Sequence, residues 1–271
     1  MNKNLLKEIP KINFKEENAL VILSTQRSGS TMLCKDIESL KVLGTPDEHF
    51  WPVLQKDDSK SGEELLNYFI SNGNLTNSNY YAVKLMYDYL HLFGFWVSDR
   101  KESLDDPNNI EKYREYGITF FKKMFNNVIY IYLRRENKFE QALSHYRAIK
   151  TNVFHIIDNV PIKSFYENYL SENEILDNID INLFNRLYNR ACNEDKALQE
   201  LIDRLNIDYL PLVYEKIKND YPNYLADIIN RAGITIDLES LKNNGRKTVK
   251  IISNNFIEEF KKRLSQISSE Q

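Results

Sequence analysis

The sequence predicts an α/β fold, a three-layer sandwich whose central sheet is mostly parallel and carries helices on both faces. Two observations predict it. Short apolar runs alternate with amphipathic stretches along the chain, and strands alternating with helices build a parallel sheet covered on both sides. The apolar runs are also nearly continuous, as strands buried on both faces must be.

The elements follow in order. Ala19 to Thr25 (ALVILST) is the first buried strand, and QRSGST, Gln26 to Thr31, is a polar turn with one glycine. Met32, Leu33, Ile37 and Leu40 then recur at helical spacing. Gly44-Thr45-Pro46 breaks the chain. Tyr80 to Tyr87 (YYAVKLMY) is a second strand, with Lys84 inside it. Val128 to Leu133 (VIYIYL) is the third and runs through Arg134-Arg135 into a helix from about Lys138 to Lys150. Ile181, Phe184, Leu187, Tyr188, Ala191, Leu198, Leu201, Ile202 and Leu205 mark a long amphipathic helix. Tyr209 to Tyr214 (YLPLVY) is a fourth strand, where Pro211 suits an edge. Helices over about Pro222 to Ala232 and Asn254 to Leu264 close the chain.

At 271 residues, 42% of them hydrophobic, the chain reads as one domain over 1–271, with an N-terminal extension over 1–18 and a helical insertion over about 155–205. The net charge of −3 gives no electrostatic basis for nucleic-acid binding. An anionic ligand would need a local cluster of positive charge. No stretch reaches the ~20 apolar residues of a membrane span, and Met1 to Glu17 has no signal-peptide core, so a cytoplasmic protein with no membrane partner is expected. Cys34 and Cys192 form no CxxC pair and have no histidine cluster beside them, so neither a metal site nor a disulfide framework is expected. Cys34 falls on the apolar side of its helix and reads as a buried thiol.

In α/β sheets ligands sit at the carboxyl ends of the strands. The polar residues there are therefore the candidates. In STQRSGST, Ser24 to Thr31, a helix start presents unpaired N–H groups and partial positive charge. Gly29 permits close backbone approach, Ser28, Ser30 and Thr31 add hydroxyls, and Arg27 adds a guanidinium fork. Together with Gln26 they make a cradle for phosphate or sulfate. The ATP-binding signature GxxxxGK[ST] lacks its first Gly and its Lys here. In LRRENKFEQALSHYRA, Leu133 to Ala148, Arg134 and Arg135 end a strand, and Ser144 follows on the next helix. An Arg and a Ser so placed can grip a second phosphate. His91, His145 and His155 have no ligand spacing and read as structural or surface residues. A kinase on a related fold and a non-catalytic nucleotide-binding protein remain alternatives at this point.

Both segments together resemble the sulfotransferases that use 3′-phosphoadenosine-5′-phosphosulfate (PAPS), and most closely the trehalose sulfotransferase family first known from mycobacteria. TQRSGST (Thr25 to Thr31), GTPDEHF (Gly44 to Phe50), KLM (Lys84 to Met86) and QALSHYRA (Gln141 to Ala148) occur in that family's order. VYEKI (Val213 to Ile217) and SNNFIEEFKKRL (Ser253 to Leu264) look like its last strand and closing helix. The resemblance implies a P-loop-NTPase-like version of the sandwich. It implies PAPS as donor, PAP as product, no metal requirement, a small-molecule acceptor such as a sugar hydroxyl, and a homodimer. Gln26, Arg27, Ser28, Gly29, Ser30 and Thr31 would hold the 5′-phosphosulfate. Arg135, in preference to Arg134, would hold the 3′-phosphate with Ser144. Glu48 would be the general base, with its neighbours Asp47 and His49 able to substitute; Arg27 would support the transferred group, and Lys84 would either support it or be a snorkelling structural lysine. His49 and Trp51 depart from the family's pattern, which leaves the acceptor open. Phe50, Trp51, Tyr87, Tyr89 and Phe93 to Trp96 would either stack on it or belong to the core, and the basic stretch Arg246 to Lys250 would either cover the nucleotide or be solvated.

Overall fold

The computed structural model describes residues 14–50, 79–98, 102–157, 160–163, 170–239 and 253–269. Trp51 and the basic stretch 246–250 lie outside the described residues. The elements are β1 (Phe14–Ser24), α1 (Ser30–Leu40), β2 (Tyr80–Met86), α2 (Tyr87–Val97), α3 (Pro107–Met124), β3 (Phe125–Arg134) and α4 (Lys138–Thr151). There follow β4 (Val153–Ile157), β5 (Val160–Lys163), α5 (Glu172–Asp177), α6 (Ile181–Arg204), β6 (Tyr209–Val213), the single turn α7 (Tyr214–Ile217), α8 (Leu225–Ala232) and α9 (Asn254–Ser269).

The central sheet has the order β2-β1-β3-β6 and every pairing in it is parallel. This is the α/β sandwich that the alternation of elements predicts. Side chains alternate across it. Ala19, Val21 and Leu23 of β1 join Tyr81, Val83, Tyr130 and Tyr132 in a core closed by α2, α3 and the C-terminal half of α6. Leu20 and Ile22 join Ala82, Ile129 and Ile131 in a second core closed by α1 and α8. A third cluster joins Leu143 and Tyr146 of α4 to Phe184 and Leu187 of α6 and Phe260 of α9. Helix α6 thus ties the helical layer to the sheet.

Local chemistry sets the helix starts. Asp106 caps α3, with Pro107 at its first position; Asn137 caps α4 through the Glu140 N–H; Asp180 caps α6 through the Leu183 N–H. Strand β2 stops at Met86 because its neighbour stops there too, Ser24 pairing with Met86. Tyr87, expected to end the strand, instead opens α2. That helix crosses α3 closely: a Cβ on Gly94 would lie 1.7 Å from the Tyr113 carbonyl oxygen.

Two features position the site. The chain leaves β1 toward β2 on one side of the sheet and leaves β3 toward β6 on the other. The crevice therefore lies between the carboxyl ends of β1 and β3, where the loops 25–29 and 135–137 emerge. Among the described residues no helix is long and apolar enough to cross a membrane.

Candidate functional site

The loop between β1 and α1 is wound for close approach. Arg27 has φ 61° and Gly29 has φ 93°, both in the left-handed region. Gly29 is the N-cap of α1 and offers no side-chain cap, so the first N–H groups of the helix face the crevice without one. A Cβ at Gly29 would sit 2.3 Å from Cδ2 of Tyr214; only glycine fits. The Ser28 hydroxyl is buried and makes no hydrogen bond among the described residues. A buried hydroxyl without a partner is costly and fits a ligand oxygen. Ser24 and Ser30 lean on the Met86 sulfur, at 3.1 and 3.8 Å. The Gln26 amide donates to Asp88 Oδ2 (3.2 Å) instead of lining the cradle. Gln141 of α4 braces the loop, donating to Thr25 Oγ1 (2.9 Å) and the Gln26 carbonyl (2.6 Å).

Arg27 crosses the crevice. Its Nε donates to Ser144 Oγ (3.1 Å) and its Nη1 to the Phe154 carbonyl. Burial first, then the guanidiniums of Arg135 and Arg147, hold its pKa down to about 10. The two tandem arginines separate completely. Arg134 is exposed, pairs with Glu136 and faces a cleft beside β6 lined by Tyr132, Tyr209 and Lys216. Arg135 is 7% exposed and turns into the crevice. It pairs with Glu140 (2.9 Å), reaches the Arg27 carbonyl at 3.5 Å and lies over the Tyr214 ring at 4.6 Å. Its Nε, 3.8 Å from Glu215, makes no hydrogen bond among the described residues. The expected cradle, Arg135 and Ser144 are thus gathered in one place, and Arg134 is not.

Glu48 approaches from the chain break after α1. Its Oε1 lies 2.7 Å from Nζ of Lys84, and Asp47 lies 3.8 Å from the same nitrogen. Lys84 is almost wholly buried. Burial alone would depress its ammonium, but Glu48, with Cys34 and Asp47, outweighs it and the pKa lies above the ordinary value. The segment is held on β2 by the Lys84 N–H donating to the Asp47 carbonyl (3.0 Å) and is braced within itself by His49 against the Thr45 carbonyl (2.7 Å). Burial lowers the His49 pKa. Tyr89 lies on the other side of Glu48, and burial and that carboxylate raise its phenol well above the ordinary value.

Among the described residues, the aromatic side chains nearest Glu48 are core. Phe50, Phe93, Tyr89 and Trp96 are buried and pack on one another. The polar wall comes from elsewhere. Asp88 accepts from Gln26 and from Arg190 of α6 (3.1 Å), and Arg190 also pairs with Glu194 (2.7 Å). Burial raises the pKa of both Asp88 and Glu194. His145 lines a small cavity with Gln26, Arg190 and Glu194, and burial, Arg190 and Arg27 push its pKa down to about 4.

Sequence reasoning missed Tyr214, Glu215, Asp88 and Arg190. The first two stood in view as VYEKI directly after a strand, the position already used to select Arg27 and Arg135. Asp88 and Arg190 are separated by 102 residues, and no local pattern links them.

Residues 19–263 match the family model described as Stf0 sulphotransferase. No match was found among curated proteins.

Proposed function

The chain belongs to the Stf0 sulphotransferase family, and from that premise we propose that it transfers a sulfuryl group from PAPS to a hydroxyl of a small acceptor. The single observation that carries the donor assignment is the crevice itself. A glycine with no room for a Cβ, an orphaned Ser28 hydroxyl, the half-buried Arg27 guanidinium and the buried Arg135 guanidinium share one sheet edge. These residues fit a ligand carrying phosphate at two points.

Bound PAPS would supply a sulfuryl group whose bridging oxygen leaves with the 5′-phosphate as the acceptor oxygen attacks in line. The N–H groups of α1 and the Arg27 guanidinium would meet the charge growing on the leaving phosphate. A well-aimed donor of this kind is worth ~3–4 kcal/mol of barrier. Arg135 and Ser144 would hold the 3′-phosphate, Ser144 turning from Arg27 to the ligand. Glu48 would take the proton of the acceptor hydroxyl. Lys84 acts through Glu48: its ammonium touches that carboxylate and aims it, so we read Lys84 as a positioning residue. Asp88, Arg190 and Glu194 offer hydrogen-bonding groups on the acceptor side. They suit a hydroxyl-rich molecule, and the described aromatics beside them are enclosed in the core.

The test is label transfer from PAPS carrying radioactive sulfur to a panel of sugars and small alcohols. Transfer should be lost in Glu48→Gln and Arg27→Ala. Undiminished transfer in both would remove these roles. PAP should also raise the melting temperature, by the equivalent of about 2.7 kcal/mol at a hundred times its Kd.

A further inference from the structure

We propose that Tyr214 is a positioning residue whose ring couples the two anion grips, so that the 3′-phosphate is read only in register with the 5′-phosphate. The proposal rests on PAPS being the donor and goes one step beyond it.

The argument starts from what touches the ring. Gly29, at the mouth of the first grip, abuts it so closely that a Cβ would overlap Cδ2. The guanidinium of Arg135, the charge of the second grip, lies 4.6 Å from its centroid, within the range at which an arginine is held on an aromatic face. Tyr214 also faces Arg27 closely enough to bear on its charge. One side chain thus spaces the three groups that would contact the donor's phosphates.

The ring itself is fixed. It follows β6, whose last pairing is Val213 with Arg134, so its backbone is registered against the strand that delivers Arg135. The next residue, Glu215, accepts from the N–H groups of Glu136 and Asn137, both at 3.1 Å. Those hydrogen bonds hold the Glu215 carboxyl below the usual carboxylate range although burial would raise it. Tyr214 and Glu215 together clamp the turn that carries Arg135 to the turn that carries Gly29. By contrast Arg135 has only a long contact of its own to the loop, 3.5 Å to the Arg27 carbonyl, and its Nε is without a hydrogen bond among the described residues. Glu140 holds one edge of the guanidinium at 2.9 Å, and the ring sets its height over the cradle.

The experiment is calorimetric titration of the full chain with PAP and with AMP, which lacks the 3′-phosphate. The ratio of the two affinities reports the second grip alone. Wild type should prefer PAP. Tyr214→Met keeps an apolar side chain of most of the size and loses the ring; its PAP-to-AMP ratio should fall roughly tenfold or more, the scale of one charge-assisted hydrogen bond. Tyr214→Phe keeps the ring and should keep the ratio. Gly29→Ala displaces the ring from the other side without touching Arg135 and should also lower the ratio, which decides the matter if Tyr214→Met does not fold. A wild-type preference for PAP that survives unchanged in Tyr214→Met and Gly29→Ala would overturn the coupling and leave the donor assignment standing. Wild type binding neither nucleotide, or both equally, would overturn the donor assignment and the coupling with it.

Discussion

The Glu48–Lys84 pair allows a prediction whose size differs between its two ends. Nζ of Lys84 lies 2.7 Å from Glu48, and the side chains are 4% and 26% exposed respectively. Removing one member of a buried pair costs about 3–5 kcal/mol because the other charge is left without compensation. Lys84 cannot reach water, so Glu48→Gln should show most of that cost, about 2–3 kcal/mol after the help of Asp47 at 3.8 Å. Glu48 can be rehydrated, so Lys84→Met should cost only about 1 kcal/mol. The double variant should then be more stable than Glu48→Gln alone, because it buries no orphaned charge. For a chain of this size these values are melting-temperature losses of roughly 4–12 °C and 2–4 °C. The assay is thermal unfolding of the four proteins as a double-mutant cycle near neutral pH. That pH lies well below 10.5, the ordinary lysine pKa, and the folded-state pKa is higher still. The pair's contribution is therefore fully present there and is lost only as pH rises through the raised folded value. Additive effects, or a larger loss for Lys84→Met than for Glu48→Gln, would refute the reasoning.

Three further predictions concern separate parts of the molecule. His145 is held neutral with a pKa near 4 by burial, Arg190 and Arg27, while an unfolded histidine takes up its proton near 6.5. The unfolded state binds more protons between those values, so stability should fall by up to roughly 3 kcal/mol as pH drops from 6.5 to 4; unfolding titrations of His145→Gln should show a shallower acid slope. Gly94→Ala would place a Cβ 1.7 Å from the Tyr113 carbonyl, forcing α2 and α3 apart; chemical denaturation should show a loss of about 1–3 kcal/mol. The crowded guanidiniums around Arg27 should make millimolar sulfate or phosphate stabilising in a melting assay, and that stabilisation should disappear in Arg27→Met.

The fold was legible where side-chain pattern and structure share a cause. β3 and α6 are long, strongly patterned and found where the pattern puts them, because burial on two sheet faces and on one helix stripe writes itself into residue type. β1 begins at Phe14, five residues before its apolar run, because the pairing there is made by backbone along a polar stretch. α2 escaped notice because it is apolar on nearly every side and so lacks a helical period. The hairpin β4–β5 falls within the stretch taken as a helical insertion; its pairing is again backbone work.

At the site the legible part was local and the illegible part was the wiring between segments. The Arg27 loop could be read because one glycine and three hydroxyls in a strand-to-helix turn have few other uses. Arg135 was preferred to Arg134 only through the family resemblance; in the structure β3 ends at Arg134, which is exposed, and Arg135, the first residue beyond the strand, is buried in the crevice. What sequence could not give is which groups neutralise one another across the crevice. Arg27 on Ser144, Arg135 beside Glu215, and Lys84 on Glu48 each join residues far apart in the sequence that the fold brings together, whereas Glu140 reaches Arg135 from five residues away. Those partners matter for function, because a guanidinium already satisfied by a carboxylate has less to offer an anion. Arg27, whose partners are a hydroxyl and a carbonyl and whose nearest charges are repulsive, stands to gain most from a phosphate. The electrostatic tension in the crevice is therefore concentrated on the side where the leaving group would sit, which is where charge must be stabilised if sulfuryl transfer is to be fast.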